Sequence, residues 1–245
     1  GIFFTEADTA IRLSNLVNFT NSTLVKQGAA DLLLDLRGGG DAKFLPSLTA
    51  SAGTIHFLAE DTAFLAIDGL GDGGPGDGLI NFGALDAVIT QDFDSTFTGD
   101  LTGTGDLTLN TVTGSELLVS GVLSGFSSVS VGGDGTGAVE LSAANTYTGP
   151  TNVTSGGDLS VSGTLQTSAV NVANGGRFTL LASNRLLDTA TVTNAGTFDL
   201  GVHNETVATF TSNGGTLAGT GTLTAATYAL NDGSTVNANL GNGAL

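Results

Sequence analysis

The chain has 245 residues, of which 38 are glycine and 3 are proline, and 12% of its residues are charged. That charged fraction is about half of the roughly 25% usual in soluble proteins. The scarcity of proline and the lack of a three-residue glycine period exclude collagen, and a hydrophobic fraction of 40% argues against disorder. Glycine, threonine, serine and asparagine occur all along the chain and disfavour a large helical domain. We therefore predict an all-β chain with many turns.

The formal net charge is −17, and no lysine or arginine occurs between Lys43 and Arg177. Such a surface repels nucleic-acid phosphates and anionic lipid headgroups, so we expect neither a nucleic-acid partner nor direct membrane insertion. The absence of cysteine excludes disulfides and thiolate metal sites. No apolar run is long enough for a membrane-spanning helix, which needs about 20 residues.

The first element in chain order is a candidate helix over residues 6–17, for which Thr5 and Asp8 would form a capping box. We interpret residues 1–20 as a possible N-terminal cap or linker of a single domain over 1–245. Further along, residues 51–57 place Gly53 two positions before the apolar Ile55, as later Gly-x-apolar pairs do, and residues 99–109 alternate apolar and small polar residues, as strands with one buried face do.

A glycine- and aspartate-rich loop over residues 66–86 is the strongest candidate ligand site. Its carboxylates are a hard-oxygen donor set that suits Ca²⁺, and they are Asp68, Asp72, Asp77 and Asp86. The calcium-binding nonapeptide repeat requires an aspartate at position 78, where this chain has Gly78, and only one copy is present. A solvated surface loop is therefore the competing interpretation, and no other cofactor is predicted.

The sequence contains only weak evidence for catalytic residues. Asp92 and Asp94 would share one face of a strand and could act as the acid and base of a polysaccharide-cleaving β-helix. However, no basic residue between positions 44 and 176 is available to bind an acidic substrate. The two histidines, His56 and His203, match no zinc or nucleophile motif. We predict that the chain is not an enzyme.

A repeat organises the chain from residue 150 onward, in which a β-rich stretch is followed by a turn and a large apolar residue. The apolar positions recur with a period of about 19–20 residues, close to that of known solenoid repeats, and form a predicted core column: Leu159, Phe178, Phe198, Leu217 and Val236. A predicted turn column of glycines precedes them, where a bend needs positive φ or close backbone approach: Gly157, Gly176, Gly196 and Gly215. Each unit is therefore predicted to be strand, tight turn, strand.

A unit of about 20 residues cannot bury its own apolar face, but stacked copies form a continuous core. The repeat therefore predicts a parallel β-solenoid of about 12 coils, roughly 58 Å long at a spacing of about 4.8 Å between strands.

One segment carries a family resemblance. Residues 141–157, LSAANTYTGPTNVTSGG, closely resemble the passenger-associated repeat of bacterial autotransporters, and residues 24–36 and 97–109 are similar to other phrases of that family. The resemblance implies a right-handed parallel β-helix on, or released from, the bacterial outer surface. The family also carries a C-terminal membrane β-barrel, whose amphipathic strands are not recognisable before Leu245. Two explanations stay open: the barrel is cleaved or omitted, or the repeat has been recruited into another secreted assembly.

These observations lead to three functional expectations. The first is a non-enzymatic, extracellular or cell-surface β-solenoid that serves as a rigid stalk or adhesive surface. The second is a subunit of an extracellular filament, formed by end-to-end association of copies through unpaired strand edges. The third is a polysaccharide-active β-helix enzyme.

Overall fold

The computed structural model describes residues 11–14, 23–26, 32–35, 47–50, 55–58, 79–82, 84, 86–91, 94–97, 99–112 and 114–244. These residues form 27 strands, all paired in parallel, and no helix occurs among them. The chain is a right-handed parallel β-helix, as the repeat and the family resemblance predicted. Alternating inward apolar and outward polar residues explain why these short segments are strands, since one face of each is buried.

Three faces enclose the core. The first sheet has 12 strands: β1 (Ile11–Ser14), β3 (Leu32–Asp35), β5 (Ile55–Leu58), β7 (Ala87–Gln91), β10 (Asp106–Thr111), β13 (Ser128–Gly133), β16 (Thr151–Val153), β19 (Ala169–Val172), β21 (Thr191–Asn194), β23 (Glu205–Ser212), β25 (Thr222–Leu230) and β27 (Asn239–Leu240). The second sheet has eight: β8 (Ser95–Phe97), β11 (Glu116–Val119), β14 (Ala138–Leu141), β17 (Asp158–Val161), β20 (Arg177–Leu180), β22 (Thr197–Asp199), β24 (Thr216–Ala218) and β26 (Thr235–Val236).

The third face consists of very short strands. Five of them pair in one sheet: β2 (Thr23–Lys26), β4 (Ser47–Ala50), β6 (Leu79–Asn81), β9 (Asp100–Thr102) and β12 (Leu123–Ser124). Two more continue this face: β15 (Ala144–Asn145) and β18 (Thr164–Leu165). The prediction of two strands per unit was therefore incomplete, because a two-residue strand supplies only one inward side chain and leaves no period to detect.

The number of turns is smaller than predicted. The two long sheets coexist from β8 to β26, and these eight strands correspond to about seven turns, not 12. The first sheet alone has 12 strands, but the second sheet begins at β8 among the described residues, so complete turns are fewer than the coils predicted from one uniform period. The observed register step varies instead, since it is longer from Leu117 to Val139 than from Leu159 to Phe178. The step from Ile55 to Ala87 is longer still.

The predicted core column lies in the second sheet. The structure places its five residues in successive register positions, Leu159 to Phe178 to Phe198 to Leu217 to Val236. The first four are fully buried and Val236 is partly buried against the same core. The rings of Phe178 and Phe198 stack with centroids 5.0 Å apart and an interplanar angle of 3°.

The predicted turn column is explained by close approach and not by positive φ. A Cβ at Gly196 would lie 2.3 Å from the carbonyl oxygens of both Ala173 and Gly176. The positive φ belongs to the glycine one residue earlier in three of the repeats, for example Gly156 at 78°. Each of these bends therefore uses one glycine for its backbone angle and the next for space.

The candidate helix over residues 6–17 is wrong in its centre, because Ile11–Ser14 is strand β1. Its residues pair in register with β3, Ile11 opposite Leu32 and Leu13 opposite Leu34. Alternating apolar residues with a parallel partner outweigh a local capping pattern. Thr5 and Asp8 lie outside the described residues, and the single domain over 1–245 stays a prediction.

Candidate functional site

The carboxylates in the earlier described coils act as acceptors for the next coil. Asp86 accepts the backbone N–H of Asp106 at 2.9 Å, Asp94 that of Glu116 at 2.9 Å, and Asp100 that of Val122 at 2.7 Å. Asp106 accepts hydrogen bonds from the hydroxyls of Ser127 and Ser128, which lower the pKa of its carboxyl. These side chains lie at corners between sheets, where backbone groups would otherwise lack a strand partner.

Two polar side chains occupy inward positions that leucine fills in the following coil. Asn145 pairs with Leu165 in register, is buried, and accepts the backbone N–H of Leu123 at 2.8 Å. Glu205 pairs with Leu223, is 1% exposed, and accepts the backbone N–H of Arg185 at 2.7 Å. Burial raises the pKa of the Glu205 carboxyl, although its backbone hydrogen bonds oppose this effect. Both side chains hold a neighbouring coil.

The candidate calcium site is only partly described. Asp86 is exposed and engaged with Asp106, while Asp68, Asp72 and Asp77 lie outside the described residues. In the part of the chain that the structure describes, no three histidine or acidic side chains form a group that could hold a metal ion. Calcium binding by the 66–86 loop stays a prediction.

The candidate catalytic residues are not brought together by any described contact. Asp94 is exposed and its carboxylate accepts the N–H of Glu116, whereas Asp92 lies outside the described residues. His203 is half-buried after β22, and its backbone carbonyl leaves no room for a Cβ at Gly221. His56 belongs to β5 of the first sheet.

The outer face of the second sheet carries several charged side chains. Its outward residues fall into two columns, because the parallel register aligns one coil with the next. In the first column Glu116 pairs with Ala138 and Asp158 with Arg177, and Asp94, just before β8, accepts the N–H of Glu116. The second column contains Thr96, Leu118, Glu140, Ser160, Thr179 and Asp199. We call this surface the acidic face.

Arg177 is the basic residue on the acidic face. Its guanidinium donates to the Asp199 carboxylate at 2.7 Å, and its side chain is 52% exposed. Burial raises the pKa of the neighbouring Asp158, and the positive charge of Arg177 partly offsets that effect. This cation therefore shows how a positive group is held on the face, between carboxylates of adjacent coils.

A groove crosses the acidic face over strands β11, β14 and β17. It is an open groove with a volume of about 140 Å³, and its outward side chains are Glu116, Leu118, Ala138, Glu140, Ser160 and Leu181. Leu181 is 42% exposed, comparable to Leu187 at 39% and Leu230 at 37%, and it adds apolar surface to the groove. The Ser162 hydroxyl donates to the Glu140 carboxylate. Sequence reasoning missed this groove, although aligning outward positions by register would have brought Glu116 and Glu140 onto one surface.

No helix among the described residues is both long and apolar enough to cross a membrane. Comparison with known proteins identifies no relative: no family model, curated protein or solved structure matches this chain. The class of protein is therefore defined by the fold alone, as a right-handed parallel β-solenoid.

Proposed function

We propose that this protein is a non-enzymatic, extracellular or cell-surface scaffold whose stacked coils form a rigid rod that presents a surface. The proposal is supported by how the polar side chains are used. Asp86, Asp94 and Asp100 each accept a backbone N–H of the following coil, so these groups maintain the rod. The similarity of residues 141–157 to the autotransporter passenger repeat supports the surface location.

Rigidity follows from the continuity of the core. Inward columns run from coil to coil in each sheet, such as Leu107, Val129, Thr151 and Val170 in the first. Each coil contacts only its neighbours, so bending the rod requires breaking ladder hydrogen bonds along one face. The turns shared by the two long sheets alone correspond to a length of about 34 Å at a spacing of about 4.8 Å between strands.

Small-angle X-ray scattering on purified protein tests the proposal. A rigid rod gives one persistent maximum dimension that does not change with salt, whereas a flexible chain gives a broad, salt-dependent distribution. Electron microscopy of the same sample distinguishes the second candidate, since fibres with an axial repeat near the rod length would indicate end-to-end filaments. Release of reducing ends from acidic polysaccharides would indicate the enzyme instead and refute the scaffold.

The surface location needs a separate measurement on the source cells. Protease added to intact cells should remove the protein if it is displayed outside, and the culture medium should contain it if it is released. Protein that resists protease until the cells are broken would contradict the proposed location and leave the rod itself intact.

A further inference from the structure

We infer that the groove on the acidic face binds lysine or arginine side chains of a partner protein. The inference deepens the proposed scaffold function by naming the chemistry of what the surface takes. It depends on three observations: the relative positions of two glutamates, the apolar walls between them, and the way the protein holds its own arginine.

The two glutamates occupy the same relative positions as an existing ion pair. Asp199 is the register partner of the residue two positions after Arg177, and the pair is joined at 2.7 Å. Glu140 is likewise the register partner of the residue two positions after Glu116. The two positions that Arg177 and Asp199 fill with opposite charges are therefore filled at the groove by two negative charges, those of Glu116 and Glu140.

Like charges in these positions repel, and a cation between them removes the repulsion. Carboxylates on adjacent strands lie close enough to share one positive group. Asp94, which accepts the N–H of Glu116, and Asp158, the first residue of β17, add a carboxylate on each of the two neighbouring coils. The described part of the face therefore presents negative charge over four successive coils, which attracts and orients a basic segment before contact.

The groove also matches the apolar part of a basic side chain. Lysine and arginine have a stem of three or four methylene groups below the charged head, and such stems pack along apolar surface. Leu118 and Ala138 line the groove, and Leu181 reaches into it from the following coils with 42% of its surface exposed. A bare metal ion would gain nothing from these walls, so the arrangement favours a basic side chain.

Binding of a fluorescent lysine hexapeptide, measured by anisotropy at low ionic strength and at about 0.15 M salt, tests the inference. The double variant Glu116→Gln, Glu140→Gln removes two charges in the groove, and glutamine can still accept the Ser162 hydrogen bond. The matched control, Asp188→Asn with Asp232→Asn, removes two charges from exposed positions elsewhere. We expect the Kd to rise about tenfold for the groove variant and to change less than about twofold for the control.

Leu181→Asn tests the apolar contribution at constant charge, and we expect it to weaken binding about threefold, as loss of a partly exposed apolar contact would. Equal losses in the groove and control pairs would mean that only net charge matters and would overturn the inference, as would no binding to the unmodified protein. Circular dichroism and thermal unfolding of each variant verify folding. Scattering from the same samples reports the rod shape, so failure of the groove and failure of the scaffold are distinguishable.

Discussion

Phe198 lies at the centre of the most regular part of the core. Its ring is fully buried, stacks on Phe178 at 5.0 Å, and meets Phe210 edge-on at a centroid distance of 6.0 Å. Replacing it with alanine removes both contacts and leaves a cavity that a backbone fixed by ladders on both sides cannot close. Buried phenylalanine-to-alanine changes cost about 3–5 kcal/mol, which for a chain of this size lowers Tm by roughly 6–20 °C.

The cost of losing the ring contacts can be separated from the cost of the cavity. Phe198→Leu keeps most of the apolar volume and loses only the ring contacts, so we expect it to cost less than about 1.5 kcal/mol. Thr197→Ala, on the outward side of the same strand, should stay within about 0.5 kcal/mol of the parent. Equilibrium urea unfolding followed by circular dichroism gives the free energy of unfolding for all three variants.

A second measurement is where along the rod Phe198→Ala destabilises the structure. Because each coil is stabilised only by its neighbours, hydrogen exchange should accelerate in β20, β22 and β24 and remain unchanged around β11. The reasoning is refuted if Phe198→Ala loses less than about 1 kcal/mol, or if Phe198→Leu costs as much as Phe198→Ala. A uniform acceleration along the rod would show that the coils unfold as one unit.

Three further changes test other features. Gly196→Ala places a Cβ 2.3 Å from two carbonyl oxygens and should lower the free energy of unfolding by about 1–3 kcal/mol, measured by thermal unfolding. An unchanged stability would refute close approach as the role of this glycine. Asp100→Ala leaves the N–H of Val122 without its acceptor and should cost about 1–2 kcal/mol, while Asp100→Asn, which keeps an acceptor, should cost less. For Glu205, burial raises the folded-state pKa, so its contribution to stability is present below the unfolded pKa and is lost as pH rises through the folded pKa. Urea unfolding at pH 4 and pH 7 should therefore show Glu205→Gln gaining stability relative to the parent at the higher pH, and a difference independent of pH would contradict this.

The fold could be predicted from the sequence in the part of the chain where a large apolar side chain recurs at a regular spacing. Leu159, Phe178 and Phe198 recur because a parallel register places each directly over the last, so the period in sequence is the period in space. The third face gave no such signal, since β15 and β18 each have two residues and contribute a single inward side chain. The turn number was overestimated because, among the described residues, the second sheet has only eight strands, whereas the first has 12.

The candidate sites were harder to predict for a different reason. Asp86 was a predicted calcium ligand and Asp94 a candidate catalytic residue, yet their carboxylates accept N–H groups 20 and 22 residues away. A sequence shows the acidic residue but does not show which distant backbone N–H group its carboxylate accepts. The groove around Glu116 and Glu140 also required the register, because the two glutamates belong to different coils.

The direction of these corner hydrogen bonds bears on how the rod is built. Asp86, Asp94 and Asp100 each precede their donor in the chain, and Asn204 likewise accepts the N–H of Thr222. In a chain that becomes available from its N-terminus, the acceptor is therefore already in position when the donor arrives. For these four groups the earlier coil offers an oxygen to the next one, whereas Asn145 and Glu205 arrive after the N–H groups that they accept, so the two kinds of contact fix the register at different stages of coil addition.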